Sequence, residues 1–206
     1  MNTKQRIIEE SLTLFSEKGY SDVYVNDIAK AVGIKAPSLY KHFKNKQEIF
    51  SAILEELKES YANYATNIGI NGNNTNLDAD IYSKISEESF IEIGKKMFLY
   101  FLHDNHSKLF RKLLTIEQFR DSELADLYSK KYFYEPLAYQ SELFKLFIDT
   151  GKFKQVDSKV LALQFYAPIY TLLTVCDRQP DREPEALEMI EAHIRQFNII
   201  YSEDKQ

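Results

Sequence analysis

Val25-Asn26-Asp27-Ile28-Ala29-Lys30-Ala31-Val32-Gly33-Ile34-Lys35-Ala36-Pro37-Ser38-Leu39-Tyr40-Lys41-His42-Phe43 holds two helical patterns separated by one glycine. Val25, Ile28, Ala29 and Val32 recur at three- and four-residue spacing, which places them on one face of a short helix. Gly33 suits the left-handed backbone that ends such a helix. The next helix is expected to start at Ala36-Pro37, where proline is tolerated because first-turn amides have no intrahelical acceptor. It should run to Phe43 and turn Leu39 and Phe43 inward. Two short helices around a glycine turn, the second polar and basic on its outer face, make a helix-turn-helix pattern over residues 24–43.

The same periodicity extends in both directions. Upstream, a helix capped by Thr3 should bury Ile7, Ile8, Leu12, Leu14 and Phe15 and stop at Gly19. Downstream, Asn45-Lys46-Gln47-Glu48 is a capping-box pattern that opens a fourth helix through Ile49, Phe50, Ile53, Leu54, Leu57 and Tyr61. Residues 67–76, rich in Asn and Gly and free of charge, read as an exposed connector. Helical patterns resume over residues 86–102, 107–119, 122–149, 158–176 and 184–202, with kinks or breaks expected at Pro136 and Pro168. With six glycines, five prolines and no credible strand, the fold class is all-α. We expect an N-terminal three-helix helix-turn-helix domain at residues 1–60 and a helical domain at 61–206.

Charge is uneven along the 206 residues, whose net value is -5. Residues 1–50 carry eight Lys/Arg against six Asp/Glu, so the acidic excess lies beyond them. Between Ile28 and Gln47 stand Lys30, Lys35, Lys41, Lys44, Lys46 and His42 with no acid, an electrostatic footprint suited to phosphate. No run of about 18 apolar residues occurs and the N-terminus lacks a signal-peptide pattern, so we expect no membrane association and a cytoplasmic location. Cys176 is the single cysteine and sits among Leu172, Leu173 and Val175, which favours packing over chemistry. A helix of this width fits the major groove, small residues at Ala36, Pro37 and Ser38 permit close approach to base edges, and flanking cations engage phosphates.

The run from Val25 to Ile34, followed by Pro37-Ser38-Leu39-Tyr40-Lys41-His42-Phe43 and Asn45-Lys46-Gln47-Glu48, resembles the DNA-binding domain of the TetR family over about the first 60 residues. The resemblance implies a transcriptional regulator, a repressor acting on double-stranded operator DNA as a homodimer and responding to a small, largely apolar or aromatic ligand, with no cofactor. By position, Lys35, Ala36, Pro37 and Ser38 would form the leading edge of the recognition helix, Lys41 would flank the groove, and Tyr40, His42 and Lys46 would contact phosphates. Two residues depart from the family pattern: Tyr24 stands where Thr or Ser commonly begins the second helix, and Lys35 replaces a frequent Ser.

Beyond residue 50 the resemblance lies in helical layout alone. It implies that some aromatics line a ligand cavity, with Phe98, Phe101, Phe110, Phe119, Tyr132, Tyr139, Tyr166 and Tyr170 as candidates; an aromatic core is the competing reading. Leu187, Ile190, Ile194, Phe197 and Tyr201 form a three-then-four seam, which family precedent pairs with Ala162, Leu163, Tyr166 and Ile169 in a dimer contact; packing within one chain is the alternative. His103-Asp104-Asn105-His106 sits where polar turn formers are expected, and no metal site is assigned there. The chain lacks G-x-G-x-x-G, a P-loop, G-x-S-x-G and H-E-x-x-H, which weighs against an enzyme. A dimeric sensor that no longer binds DNA is a third class, separable by duplex titration at graded salt.

Overall fold

The structure is a computed structural model and describes residues 1–203. Its helices are α1 (Thr3–Lys18), α2 (Val25–Val32), α3 (Ala36–Leu39), α4 (Lys46–Asn67), α5 (Thr75–Lys84), α6 (Glu87–His103), α7 (Asn105–Glu117), α8 (Ser122–Ser129), α9 (Glu135–Asp149), α10 (Ser158–Cys176) and α11 (Glu183–Tyr201). A π-helical turn at Lys130–Tyr134 precedes Pro136, and a 3-10 turn at Pro180–Arg182 leads into α11. Among the described residues there is no strand, and the all-α class holds; Phe153 and Ser202 form an isolated antiparallel bridge.

Local chemistry explains most helix ends. Asn2, rather than the expected Thr3, caps α1 by accepting from the Gln5 amide at 2.9 Å, leaving Thr3 as the first helical residue. Asn45 accepts from the Glu48 amide at 2.8 Å, while the Glu48 carboxylate returns to the Lys44 amide, one residue before the expected partner. The chain packs into two compact units: Met1–Tyr61 with Asp104–Ser129, and Ala62–His103 with the residues from Lys130 onward. The sequence division after residue 60 did not foresee that α7 and α8 pack with the N-terminal residues.

In the first unit, α1 lies against α2 and α7. Ile7, Phe15, Ile28, Val32, Leu113 and Leu114 are fully enclosed. A series of rings crosses this core, Phe15 to Tyr20 at 5.0 Å, Tyr20 to Phe50 at 5.1 Å and Phe50 to Phe110 at 5.9 Å. Gly19 has φ 92°, a backbone that favours glycine, and a Cβ there would also force the tip of the Glu117 side chain to move.

In the second unit, α10 packs against α9, α11 and α6, and α5 lies on α9. Phe144 is its centre, with ring neighbours Phe197 at 5.3 Å, Phe165 at 5.4 Å and Phe153 at 5.7 Å. α10 is long and apolar enough, by length and composition, to cross a membrane, yet one side of it, through Leu161, Ala162, Phe165, Leu173 and Cys176, is spent on this core.

The stretch 67–76 is not the exposed connector its composition suggested. Ile70 and Thr75 are buried, and the turn closes on the Asp78 carboxylate, which is 0% exposed. Asp78 accepts from the amides of Asn71 at 2.7 Å and Gly72 at 2.8 Å and from the Tyr139 hydroxyl at 2.6 Å. Asn74 then caps α5, a helix the sequence reading missed, by accepting from the amides of Asn76 and Leu77.

Candidate nucleic-acid interface

α2 ends as its sequence dictates. Gly33 adopts φ 76°, ψ 32°, its amide donates to the Lys30 carbonyl at 3.1 Å, and the Ile34 amide donates to Ala29 at 2.9 Å, closing a Schellman turn. Arg6 on α1 donates to the Val32 carbonyl and pins this turn from behind. Lys35 is extended, and α3 follows with Pro37 in its first turn. Regular helix stops at Leu39; the amides of Lys41, His42 and Phe43 donate to Ser38 and Leu39, giving looser turns where a helix to Phe43 was expected. Leu39 at 0% and Phe43 at 3% exposure anchor the segment in the core.

Anchoring these two residues turns the others outward. Lys35, Pro37, Tyr40, Lys41 and His42 are exposed, with Ala36 and Ser38 half-buried between them. Seven of the eight expected DNA-contact residues thus share one short segment, and it bears no carboxylate. Such a surface offers cations and a hydroxyl to phosphates and small side chains to base edges. Tyr24 provides no side-chain cap to α2 and is 70% exposed; the Asp27 carboxylate accepts from the Tyr24 amide at 2.9 Å.

Lys46, the eighth, is turned inward. Its ammonium donates to the carbonyls of Tyr20 at 2.6 Å and Val23 at 2.9 Å and lies over the Tyr20 ring. Burial pulls this ammonium below the usual lysine range, opposed by the carboxylates of Asp22 and Glu117. Sequence reasoning missed this clasp on the loop before α2, since its partners are separated by 26 and 23 residues.

The proposed ligand-lining aromatics do not share one cavity. Phe110 packs in the first unit and Phe119 is 89% exposed there. Phe98 is core, Phe101 packs beside it, and the Tyr139 hydroxyl is committed to Asp78. Tyr132, Tyr166 and Tyr170 stack together, with centroids 5.9 Å apart for both Tyr132–Tyr170 and Tyr166–Tyr170. A cavity of about 200 Å³ does open in the second unit, and none of the eight lines it.

Four of the nine residues expected at a dimer contact lie in the core. Ala162, Ile190, Ile194 and Phe197 are at most 4% exposed, buried in their own unit. Tyr166, Ile169, Leu187 and Tyr201 are half-buried, and Leu163 alone of the set is exposed, at 53%. The seam belongs to the protomer's core because α11 packs tightly on α6: a Cβ on Gly94 would lie 2.9 Å from Ile194 Cδ1. A second apolar set, Val160 and Leu163 on α10 with Met189, Ile199 and Ile200 on α11, is the exposed one. The His103–His106 cluster serves local structure: Asp104 caps α7 by accepting from Ser107 at 2.8 Å, and His103 lies 2.9 Å from Glu183.

A helix-turn-helix with an exposed basic recognition segment, on an all-helical chain, defines a DNA-binding transcriptional regulator. Residues 7–53 match the family described as bacterial regulatory proteins, tetR family. IcaR of Staphylococcus aureus (strain Newman), the negative transcriptional regulator of the biofilm operon icaADBC, is 26% identical over 185 residues, covering 84% of this chain and 97% of the relative. A solved chain from Mesorhizobium loti assigned to the TetR-family regulators shares the fold with TM-score 0.70 at 16% identity, covering 98% of this chain and 97% of that one. SmeT, the repressor of the Stenotrophomonas maltophilia multidrug efflux pump SmeDEF, shares it with TM-score 0.63 at 18% identity, covering 100% of this chain and 93% of SmeT. Residues 7–53 thus carry the DNA-binding domain of the tetR family, and the whole chain is similar to regulators of that family in sequence and fold.

Proposed function

We propose that this regulator is a cytoplasmic repressor that binds a two-fold palindromic operator as a homodimer and is released by a small, largely apolar or aromatic ligand. The observation that carries the DNA-binding part is the exposed, acid-free segment Lys35–His42 held by buried Leu39 and Phe43. One such segment reads only a short half-site, and two-fold symmetry joins two readings on one operator. Repression is favoured by the relatives, since IcaR is a negative regulator and SmeT a repressor. Ligand control is favoured by SmeT having also been solved with triclosan.

Residues 1–60 carry DNA binding in this reading, and the second unit carries the ligand and the dimer contact. The dimer contact falls to the exposed set Val160, Leu163, Met189, Ile199 and Ile200 rather than to the buried seam. α4 contributes residues to both units and is one of the three covalent routes for control, the others being the crossings at 103–104 and 129–130. A coupling of about 1–3 kcal/mol changes operator affinity roughly 5–150-fold, and linkage makes the operator weaken the ligand equally.

The test is a titration of full and half operators, selected from fragments of the source genome, with the mass of the bound species measured by light scattering. Two chains per full operator and much weaker half-site binding are expected. A single chain that binds a half-site as tightly as the full operator overturns the reading.

A further inference from the structure

The cavity of about 200 Å³ lies in the second unit, bordered by the turn between α5 and α6, the turn after α9 and the end of α11. Its walls are the rings of Tyr82, Phe90, Phe147 and Phe153. Tyr82 and Phe90 meet edge to face at 5.1 Å, as do Phe147 and Phe153 at 5.4 Å. Tyr82, Phe147 and Phe153 are themselves buried, so three of the four walls are fixed by close packing behind them. The backbone of one wall is fastened too: the Lys154 amide donates to Tyr201 at 2.9 Å and the Glu203 amide to Lys152 at 3.0 Å.

Among the lining residues there is one cation, Lys152, and one anion, Glu87. The Lys152 ammonium donates to the Tyr82 carbonyl at 2.7 Å and stands 4.7 Å from the centroid of the Phe147 ring. The Glu87 carboxylate accepts from Arg195 at 3.0 Å and Asn198 at 2.9 Å, each of its oxygens keeping a further lone pair. Both polar groups are therefore placed before any ligand arrives.

We infer that this cavity binds a neutral, single-ring aromatic molecule bearing a hydroxyl group, a ligand of the phenol class. Its volume is below the roughly 300–1,000 Å³ of sites for drug-sized molecules, which limits the occupant to about one ring. Aromatic walls suit a ring face and edge. A charged ligand would meet a like charge at one side of the cavity, whereas a neutral phenolic hydroxyl is compatible with both, able to accept from an ammonium such as that of Lys152 or to donate to a carboxylate such as that of Glu87. The inference rests on the ligand-control reading for its regulatory meaning only, so binding and operator release are measured separately.

Phenol, toluene and benzoate are titrated into the full chain and followed by ligand-observed NMR, with the fold of each variant checked by circular dichroism. Phenol should saturate and bind at least about tenfold more tightly than toluene or benzoate, the difference expected when a hydrogen-bonded head group is lost or opposed. Ser202→Trp, which fills the cavity, should abolish binding. Lys152→Gln should erase most of the preference for phenol over toluene, and it carries the test should the bulkier variant fail to fold. No saturable phenol binding, or binding indifferent to both substitutions, overturns the site. Phenol binding that leaves operator affinity unchanged supports the site and counts against ligand control. Operator release by another compound without phenol binding preserves ligand control and overturns the site.

Discussion

The Lys46 ammonium donates to the backbone carbonyl of Tyr20 at 2.6 Å and stands 4.3 Å from the centroid of the same residue's ring. A lysine so engaged holds the loop before α2 in place and has little left for a phosphate. Lys46→Ala should therefore destabilise the chain by about 1.5–3 kcal/mol, the range for hydrogen bonds to a charged group. Its slope of log affinity against log salt should stay near that of the wild type, whereas Lys41→Ala should reduce it by about 0.9. Denaturant unfolding and operator titrations at several salt concentrations separate the two effects. A reduced slope with unchanged stability would assign Lys46 to the phosphate instead.

Tyr24 begins α2 without a side-chain cap and exposes its ring. Tyr24→Thr should add an acceptor for the first-turn amides and raise stability by about 1 kcal/mol. A thermal melt that is unchanged or lower would show that the Asp27 contact to the Tyr24 amide already suffices.

Asp78 closes the stretch 67–76 as a buried acceptor for two amides and the Tyr139 hydroxyl. Asp78→Ala strands those donors and should cost about 3 kcal/mol or more, while Tyr139→Phe should cost about 1.5–3 kcal/mol. Denaturant midpoints with unchanged m-values would give both figures. A near-neutral Asp78→Ala would mean that the turn does not depend on this carboxylate.

What the sequence made legible was local. Val25, Ile28, Ala29 and Val32 share a face, Gly33 reverses the backbone, and Leu39 and Phe43 anchor the next segment; each follows from spacing within a few residues. The Lys46 clasp and the Asp78–Tyr139 bond join residues 26 and 61 positions apart, which periodicity cannot pair. Spacing also showed that Ile190, Ile194 and Phe197 are an apolar seam, but a seam facing its own core and one facing a second chain have the same period. The exposed Met189, Ile199 and Ile200 stand outside that seam on the same helix, where no dominant pattern drew notice. The aromatics misled for a related reason, since ring-rich helices such as those carrying Phe98 and Phe110 build cores more readily than cavities.

Glu191 on α11 bridges to α6 through Lys95 and also meets Arg195 at 3.0 Å. Its carboxyl is held below the usual range, first by the hydrogen bond from Lys95 and then by that from Arg195. A depressed folded-state value means that the bridge contributes above the unfolded carboxyl range and is lost as pH falls through the folded value. The melting difference between the wild type and Glu191→Gln should therefore shrink as pH is lowered from about 7 to about 3. A constant difference across that range would show that the bridge does not govern acid sensitivity here.

Pro136 follows the π-helical turn and has no amide hydrogen to offer the Tyr132 carbonyl four residues earlier. The Tyr166 hydroxyl, 34 positions along the chain from Tyr132, donates to that carbonyl at 3.0 Å. Proline at 136 and tyrosine at 166 are thus one solution written in two places. In relatives the two should be inherited together, and a lineage that regained an ordinary helix former at 136 would be free to let the hydroxyl at 166 drift to phenylalanine.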